Sequence, residues 1–392
     1  MDVTDLRIAL FSGNYNYVRD GANQALNRLV GYLLRQGAAV RIYSPTVAEP
    51  ALPPNGEVVS VPAIPIPGRS EYRFPVLMPP RVKRDVKAFR PNILHIASPE
   101  LLGHRAVTLA HKLGLPVVAS VHTRFETYPR YYGLSFMEPL VEAGLRRLYR
   151  RCNAIFAPSD SMAQLLREQR MNYNVGIWTR GIDREIFSPD KRDLAWRRSL
   201  GIEDDMPVIG FVGRLVMEKG LDVFCATIDR LERRGVRHKV MVVGEGPARE
   251  WFEKGLANGV FVGFQEGAEL GRAVASMDML FNPSVTETFG NVTLEAMAAG
   301  LPVVAAIATG SQSLVTHGVT GRLVRAGSID GFADALAFYC ENEEQRLAAG
   351  KAGCEVSAHY GWDEVNQALV DGYLRVIRQH EGAGRPRPSP VL

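Results

Sequence analysis

Cysteine is sparse in this 392-residue chain and never clustered. Cys152, Cys225, Cys340 and Cys354 stand far apart, with no Cys-x-x-Cys pair. That argues against a disulfide framework and a zinc site, and for a reducing compartment. Long apolar runs are missing too. The longest covers residues 301–308, a proline included, whereas a membrane-spanning helix needs about 20 residues. The opening "MDVTDLRIALFSG" is acidic and then strand-like, without the basic start and long apolar run of a signal peptide. No Gly-x-Gly-x-x-Gly follows the first strand, which argues against an NAD-type dehydrogenase. No recognition motif for nucleic acid is present, so no such partner is expected.

What is there is ordinary globular composition, 46% hydrophobic and 22% charged, in a chain long enough for two domains. The charge is unevenly spread. Residues 1–185 hold 24 Lys and Arg against 15 Asp and Glu, and residues 186–392 hold 22 against 27. The net +4 therefore divides into +9 and −5, which suggests that the front half meets something anionic.

The hydrophobic pattern alternates short apolar strands with helices. "LRIALFS" runs into a glycine-containing loop and then "NQALNRLVGYLLRQG", whose Leu26, Leu29, Val30, Leu33 and Leu34 follow helical spacing. "AVRIYSP", "EVVSVPAI", "ILHIAS", "PVVASVHT" and "AIFAPS" continue the theme. It restarts near residue 207 with "PVIGFVGRL", "KVMVVGEGP", "GVFVGF", "MLFNPS" and "PVVAAIA". Strand–helix alternation with near-continuous apolar strands predicts parallel sheets covered on both faces. The expected fold class is α/β, two doubly wound Rossmann-like domains facing across a cleft. The expected bounds are 1–185 and 186–360, with a linker at about 184–206, a helix over 361–380 returning to the first domain and a disordered tail over 381–392.

In such sheets ligands sit beyond the carboxyl ends of the strands. "GFVGRLVMEKG" puts Arg214 just after a strand and Lys219 five residues later, a pair suited to a diphosphate or simply solvated at the surface. "TETFGNVTLEA" puts Glu287 in a loop, Gly290 and Asn291 at a helix entrance and Glu295 one turn inside. The two acids fit hydrogen bonding to diols, acid/base work, or a helix start with favourable acids. Gly21 opens the first long helix, where its backbone can crowd a phosphate. His122 stands just past a strand end.

These motifs together resemble the retaining glycosyltransferases of family 4. "ETFGNVTLE" looks like that family's Glu-x7-Glu signature, and "FVGRLVMEKG" like its Arg/Lys diphosphate clamp. "SVHTRFETY", "WTRGIDREIFSP" and "GNYNYVRDGAN" are similar to the subgroup with sulfoquinovosyl-, glucosyl-, glucuronosyl- and mannosyl-lipid synthases. The resemblance covers about residues 6–380 and implies a GT-B fold. It also implies roles. Glu295 would hold the ribose hydroxyls of a nucleotide sugar and Glu287 those of the sugar, beside the backbone of Phe289, Gly290 and Asn291. Arg214 and Lys219, with Gly213 in the same loop, would hold the departing diphosphate. Gly21 would reach the same phosphates, His122 the sugar near its 6-position, and Phe264 and Gln265 the base. Two departures stand out: single glycines, Gly21 and Gly310, occupy loops where many relatives carry two adjacent ones.

The chain has no Asp-x-Asp, the motif of metal-dependent glycosyltransferases of the other common fold, so the expected transfer needs no metal and no cofactor beyond the nucleotide-sugar donor. The basic stretches 64–90 and 124–151, interleaved with Tyr72, Phe74, Val76, Leu77 and Met78 among others, suit an anionic membrane surface. The implied acceptor is a membrane lipid such as diacylglycerol or ceramide, reached at the inner face of the cytoplasmic membrane. The implied donor is UDP-glucose or UDP-glucuronate. The alternatives are a GDP-mannose-dependent or polysaccharide-extending transferase, or a non-catalytic nucleotide-sugar-binding protein.

Overall fold

A computed structural model of the protein describes residues 1–18, 20–66, 69–127, 129 and 134–382. Arg19, residues 67–68, 128 and 130–133 of the basic stretches, the side chains of residues 66 and 69–72, and the tail 383–392 lie outside the described residues. The chain divides into two compact units, Met1–Arg180 together with Trp362–Leu392, and Gly181–Gly361.

The first unit contains β1 (Arg7–Phe11), β2 (Ala39–Ser44), β3 (Glu57–Ser60), β4 (Ile64–Ile66), β5 (Arg69–Phe74), β6 (Ile93–Ile96), β7 (Val117–Ser120), β8 (Ala154–Ala157) and β9 (Val175–Ile177). Seven of these form one sheet in the order β3-β2-β1-β6-β7-β8-β9, every pairing parallel. Successive side chains of a strand point to opposite faces. Ala9 and Phe11 accordingly enter one core, with the helix Leu101–Leu113, while Ile8 and Leu10 enter another, with the helix Gly21–Arg35. Every residue of β6, β7 and β8 is buried, the mark of strands covered on both sides.

The strand order reverses at β1, so the loops leaving β1 and β6 part from one another at the carboxyl edge of the sheet. The helix Trp362–Gly382 packs on this same unit. Val365, Leu369, Tyr373 and Ile377 lie one side of it, at helical spacing, and share the core of Ile8 and Leu29. The Arg28 guanidinium lies over the Trp362 ring at 4.9 Å. Within the basic stretch 64–90, β4 and β5 pair antiparallel apart from the main sheet. The helix Pro80–Phe89 follows, started by a proline whose missing N–H costs nothing there.

The second unit contains β10 (Val208–Val212), β11 (Lys239–Val243), β12 (Gly259–Gly263), β13 (Met279–Asn282), β14 (Val303–Ala306) and β15 (Gly321–Val324). Their order is β12-β11-β10-β13-β14-β15, again all parallel. The reversal falls between β10 and β13. The polar stretch read as a linker at about 184–206 is folded into this unit. Arg197 is fully buried and donates to Asp278 Oδ2 at 2.8 Å and to the carbonyls of Ser276 and Met206. Arg192 takes the other Asp278 oxygen at 2.8 Å. The composition looked like solvated chain because its partner carboxylate is about 80 residues away in sequence. Among the described residues, no helix is long and apolar enough to cross a membrane.

Candidate functional site

In the second unit the loops after β10 and β13 flank the point where strand order reverses, the place where doubly wound sheets take ligands. The β10 loop carries Gly213, the exposed Arg214 and then the turn Met217–Lys219. The β13 loop carries Glu287. The two loops are joined by an ion pair, Lys219 Nζ to Glu287 Oε1 at 2.5 Å, with both side chains half-buried. Gly290 then turns the chain at φ 97°, a left-handed conformation that a side chain would strain, and starts the helix Asn291–Ala298. The first-turn amides of that helix have no partners within it. Glu295 lies one turn in. No hydrogen bond reaches its carboxylate among the described residues. Burial, with the nearby Glu287 charge adding to it, pushes it up to about 7.

A third loop braces this arrangement. The Glu287 carbonyl accepts from the Gly310 amide at 2.9 Å and from the Thr309 hydroxyl at 2.7 Å. A β-carbon at Gly310 would stand 2.7 Å from the Phe289 carbonyl and 3.0 Å from the Glu287 Cβ, so the approach requires glycine. The Phe289 ring is buried, 6.0 Å from that of Tyr360, and anchors the loop from beneath. After β12, Phe264 is 60% exposed, while the Gln265 side-chain amide folds back to donate to the Val262 carbonyl at 2.7 Å.

The first unit holds a chain of buried polar groups. Arg180 Nη2 donates to His122 Nδ1 at 2.8 Å. Arginine can only donate, so Nδ1 accepts and the neutral ring carries its proton on Nε2. His122 Nε2 then donates to Ser120 Oγ at 2.8 Å, Ser120 donates to His95 Nε2 at 2.8 Å, and His95 Nδ1 donates to the Tyr373 hydroxyl at 2.7 Å. Burial pushes His95 down to about 3 and, with the Arg180 charge, holds His122 well below the usual histidine range. Arg180 is itself pushed down to about 10 by burial, against the pull of Asp20. Trp178 packs edge-on against both imidazoles. Both ring nitrogens of His122 are thus engaged within the unit.

Gly21 does open the helix Gly21–Arg35, but Asp20 caps it, accepting from the Asn23 amide at 2.8 Å, so this helix start carries a negative charge of its own. The structure therefore brings Gly213, Arg214, Lys219, Glu287, Phe289 and Gly290 onto the two loops at the reversal in the second unit, and Asn291 and Glu295 onto the helix that the second loop starts. It places Phe264 and Gln265 after β12, and Gly21 and His122 at strand ends of the first unit. Sequence reasoning missed the brace at Thr309 and Gly310 and the partners of His122. Of these only Gly310 left a trace, as a single glycine where a pair was expected.

Comparisons with known proteins bear on the family and the fold. Residues 206–342 match the family described as "Glycosyl transferases group 1" and residues 19–186 match "Glycosyltransferase Family 4". The chain is 31% identical to sulfoquinovosyl transferase SQD2 of Arabidopsis thaliana, over 91% of this chain and 71% of that protein. It is 32% identical to a GDP-mannose-dependent alpha-mannosyltransferase of Mycolicibacterium smegmatis, over 95% of this chain and 98% of that protein. Among solved structures, sucrose-phosphate synthase from Thermosynechococcus elongatus superposes with a TM-score of 0.78 at 19% identity, covering 97% of this chain and all of that one. WaaG, a glycosyltransferase involved in lipopolysaccharide biosynthesis, does so with 0.70 at 18% identity, covering 93% and 98%. The chain belongs to family 4 of the glycosyltransferases, with the two parallel-sheet Rossmann-like domains of the GT-B fold, and is an enzyme that transfers a sugar from a nucleotide sugar.

Proposed function

We propose that the enzyme is a retaining, metal-independent transferase that moves a hexose or hexuronic acid from UDP-glucose or UDP-glucuronate to a membrane lipid such as diacylglycerol or ceramide. The observation that carries the reading is the Lys219–Glu287 pair at the strand-order reversal, with Arg214 on the same loop and Glu295 one helical turn away. As the anomeric carbon–oxygen bond breaks, negative charge builds on the leaving diphosphate. Arg214 and Lys219 supply fixed positive charge to meet it, in place of a metal ion, and such preorganised charge is commonly the largest catalytic contribution. Glu287 accepts hydrogen bonds from sugar hydroxyls and orients Lys219, while Glu295 accepts from the ribose diol. Phe264 offers an exposed ring to the base. His122, with both ring nitrogens engaged, ties Ser120 of β7 to Arg180, which in turn holds the carbonyls of Trp178 and Thr179. The acceptor hydroxyl attacks from the face that the diphosphate leaves, giving its proton to the departing phosphate.

A peripheral membrane position at the cytoplasmic face is supported by the first unit. Phe136, Leu140, Ala143 and Arg147 follow one another along one side of the helix Glu138–Tyr149 and the turn before it, all exposed, Phe136 by 78% and Leu140 by 69%. A second reading, transfer of mannose from GDP-mannose, is favoured by the activity named for the Mycolicibacterium smegmatis relative and by the length that it shares with this chain. A donor panel of UDP-glucose, UDP-glucuronate, UDP-galactose and GDP-mannose, assayed with membrane lipid extract and with EDTA, decides between them. Turnover with a UDP-sugar that survives EDTA is expected. Loss of activity in EDTA refutes the metal-independent reading, and turnover with GDP-mannose alone refutes the donor.

A further inference from the structure

One carboxylate of the first unit has no structural employment. Glu100 stands at the start of the helix Leu101–Leu113, yet its side chain makes no cap hydrogen bond. Its Oε2 is buried without a partner, and it is the one carboxylate among the buried side-chain atoms so left among the described residues. No ion pair reaches it either. A carboxyl in that position costs stability, and burial pushes it up to about 7.

Its place is specific. A β-carbon on Gly13 would stand 1.8 Å from Glu100 Oε2 and 2.3 Å from Oε1, so residue 13 has no side chain where this carboxyl sits. The Gly13 amide is held by Ser98 Oγ at 2.6 Å, and its carbonyl accepts from the Tyr17 hydroxyl at 2.6 Å. Gly13 follows β1 and Glu100 follows β6, the two strands at which the order of this sheet reverses. The loops leaving such a strand pair line the ligand crevice of a doubly wound sheet. Ser44, at the end of β2 on the other side of β1, is fully buried and its hydroxyl is likewise without a partner. Most of the candidate donor groups belong to the second unit, the first adding only Gly21 and His122, so the crevice beside Gly13 and Glu100 is left largely for the other substrate.

We propose that Glu100 is a specificity residue for the acceptor, its carboxylate taking the hydrogen bond of a hydroxyl on an uncharged head group and repelling head groups that carry phosphate. The proposal rests on the lipid-acceptor reading above. A buried carboxylate without a cation favours a neutral hydrogen-bond donor and raises the energy of any second anion brought beside it. The basic excess of the first half then serves the membrane surface, while the crevice selects a neutral molecule from it.

The test uses the full chain, the four-donor panel and phosphatidylcholine vesicles carrying either diacylglycerol or phosphatidylinositol. Wild type is expected to glycosylate diacylglycerol. At pH 8.5, above the carboxyl's raised value of about 7, Glu100→Gln keeps the shape and removes the charge, and should raise the acceptor KM by about ten-fold, the usual scale for a hydrogen bond to a charged group, while donor KM moves less than two-fold. Glu100→Asp keeps the charge and should keep the preference for the uncharged lipid. An acceptor KM in Glu100→Gln within two-fold of wild type, a wild-type preference for phosphatidylinositol, or loss of preference in Glu100→Asp equal to that in Glu100→Gln would each overturn the proposal. Transfer to no lipid at all would overturn the lipid reading alone. The same comparison on free hexose against hexose phosphate then carries the Glu100 test, with a preference for the phosphate refuting it.

Discussion

Replacing Glu295 by glutamine should make the second unit more stable while weakening the enzyme, and the gain should depend on pH. The carboxyl moves from an ordinary 4.5 to about 7 on folding, chiefly through burial. Between those values the folded state binds more protons than the unfolded one, so stability falls as pH rises through the window and the loss is complete above about 7. At ~1.36 kcal/mol per pH unit the full cost is about 3 kcal/mol at pH 8 and under about 1 kcal/mol at pH 5. Glu295→Gln keeps the shape and removes the ionisable group. Its thermal midpoint should therefore exceed that of wild type by roughly 6–12 °C at pH 8, at the ~2–4 °C per kcal/mol usual for a unit of this size, and by only a few degrees at pH 5. The assay is thermal and urea unfolding of both proteins at the two pH values, alongside donor KM. Donor KM should rise about ten-fold or more, since a charged acceptor of the ribose hydroxyls is lost. A stability difference that is the same at both pH values, or a variant less stable at pH 8, would refute the reasoning.

Other expectations follow from the same geometry. Lys219→Ala should lower kcat about 10²–10³-fold with a smaller effect on donor KM, because its contact strengthens as charge develops; steady-state kinetics showing a rise in KM alone would mean that it serves only ground-state binding. Gly310→Ala forces its β-carbon against the Phe289 carbonyl and should weaken donor binding by calorimetry with little change in the first unit's unfolding. Arg197→Leu leaves Asp278 with Arg192 alone in a buried setting and should cost about 3–5 kcal/mol by urea unfolding. Tyr373→Phe removes the last hydroxyl of the histidine chain and should cost about 1 kcal/mol while leaving His122 neutral; an imidazolium signal for His122 by NMR at pH 6 would contradict the Arg180 assignment.

The strands β1–β3, β6–β8 and β10–β14 were legible because each is a short, largely apolar run ended by glycine, proline or a polar turn; β4, β5, β9 and β15, short or interrupted by proline, glycine and charge, were not. The loops proposed for the donor stood out in the sequence because glycine, arginine, lysine and two spaced acids rarely fall together at strand ends for packing alone. The histidine chain was not, since residues 95, 120, 122, 180 and 373 meet only in the folded unit. Arg197 read as solvated chain for the same reason. Glu100 was hidden differently: "SPELLG" looks like a helix start with a favourable acid, and only the absence of a partner for its buried oxygen separates it from that ordinary role.

The return of the chain to its first unit bears on the order of synthesis. His95 waits for a hydroxyl 278 residues further on, and the core around Ile8 and Leu29 stays open on one side until the helix Trp362–Gly382 has left the ribosome. The second unit is continuous from Gly181 to Gly361 and can close as it emerges, so the usual order, N-terminal domain first, is inverted. A nascent chain halted before Trp362 should therefore expose an unfinished first unit to chaperones and proteases while its second unit is already folded.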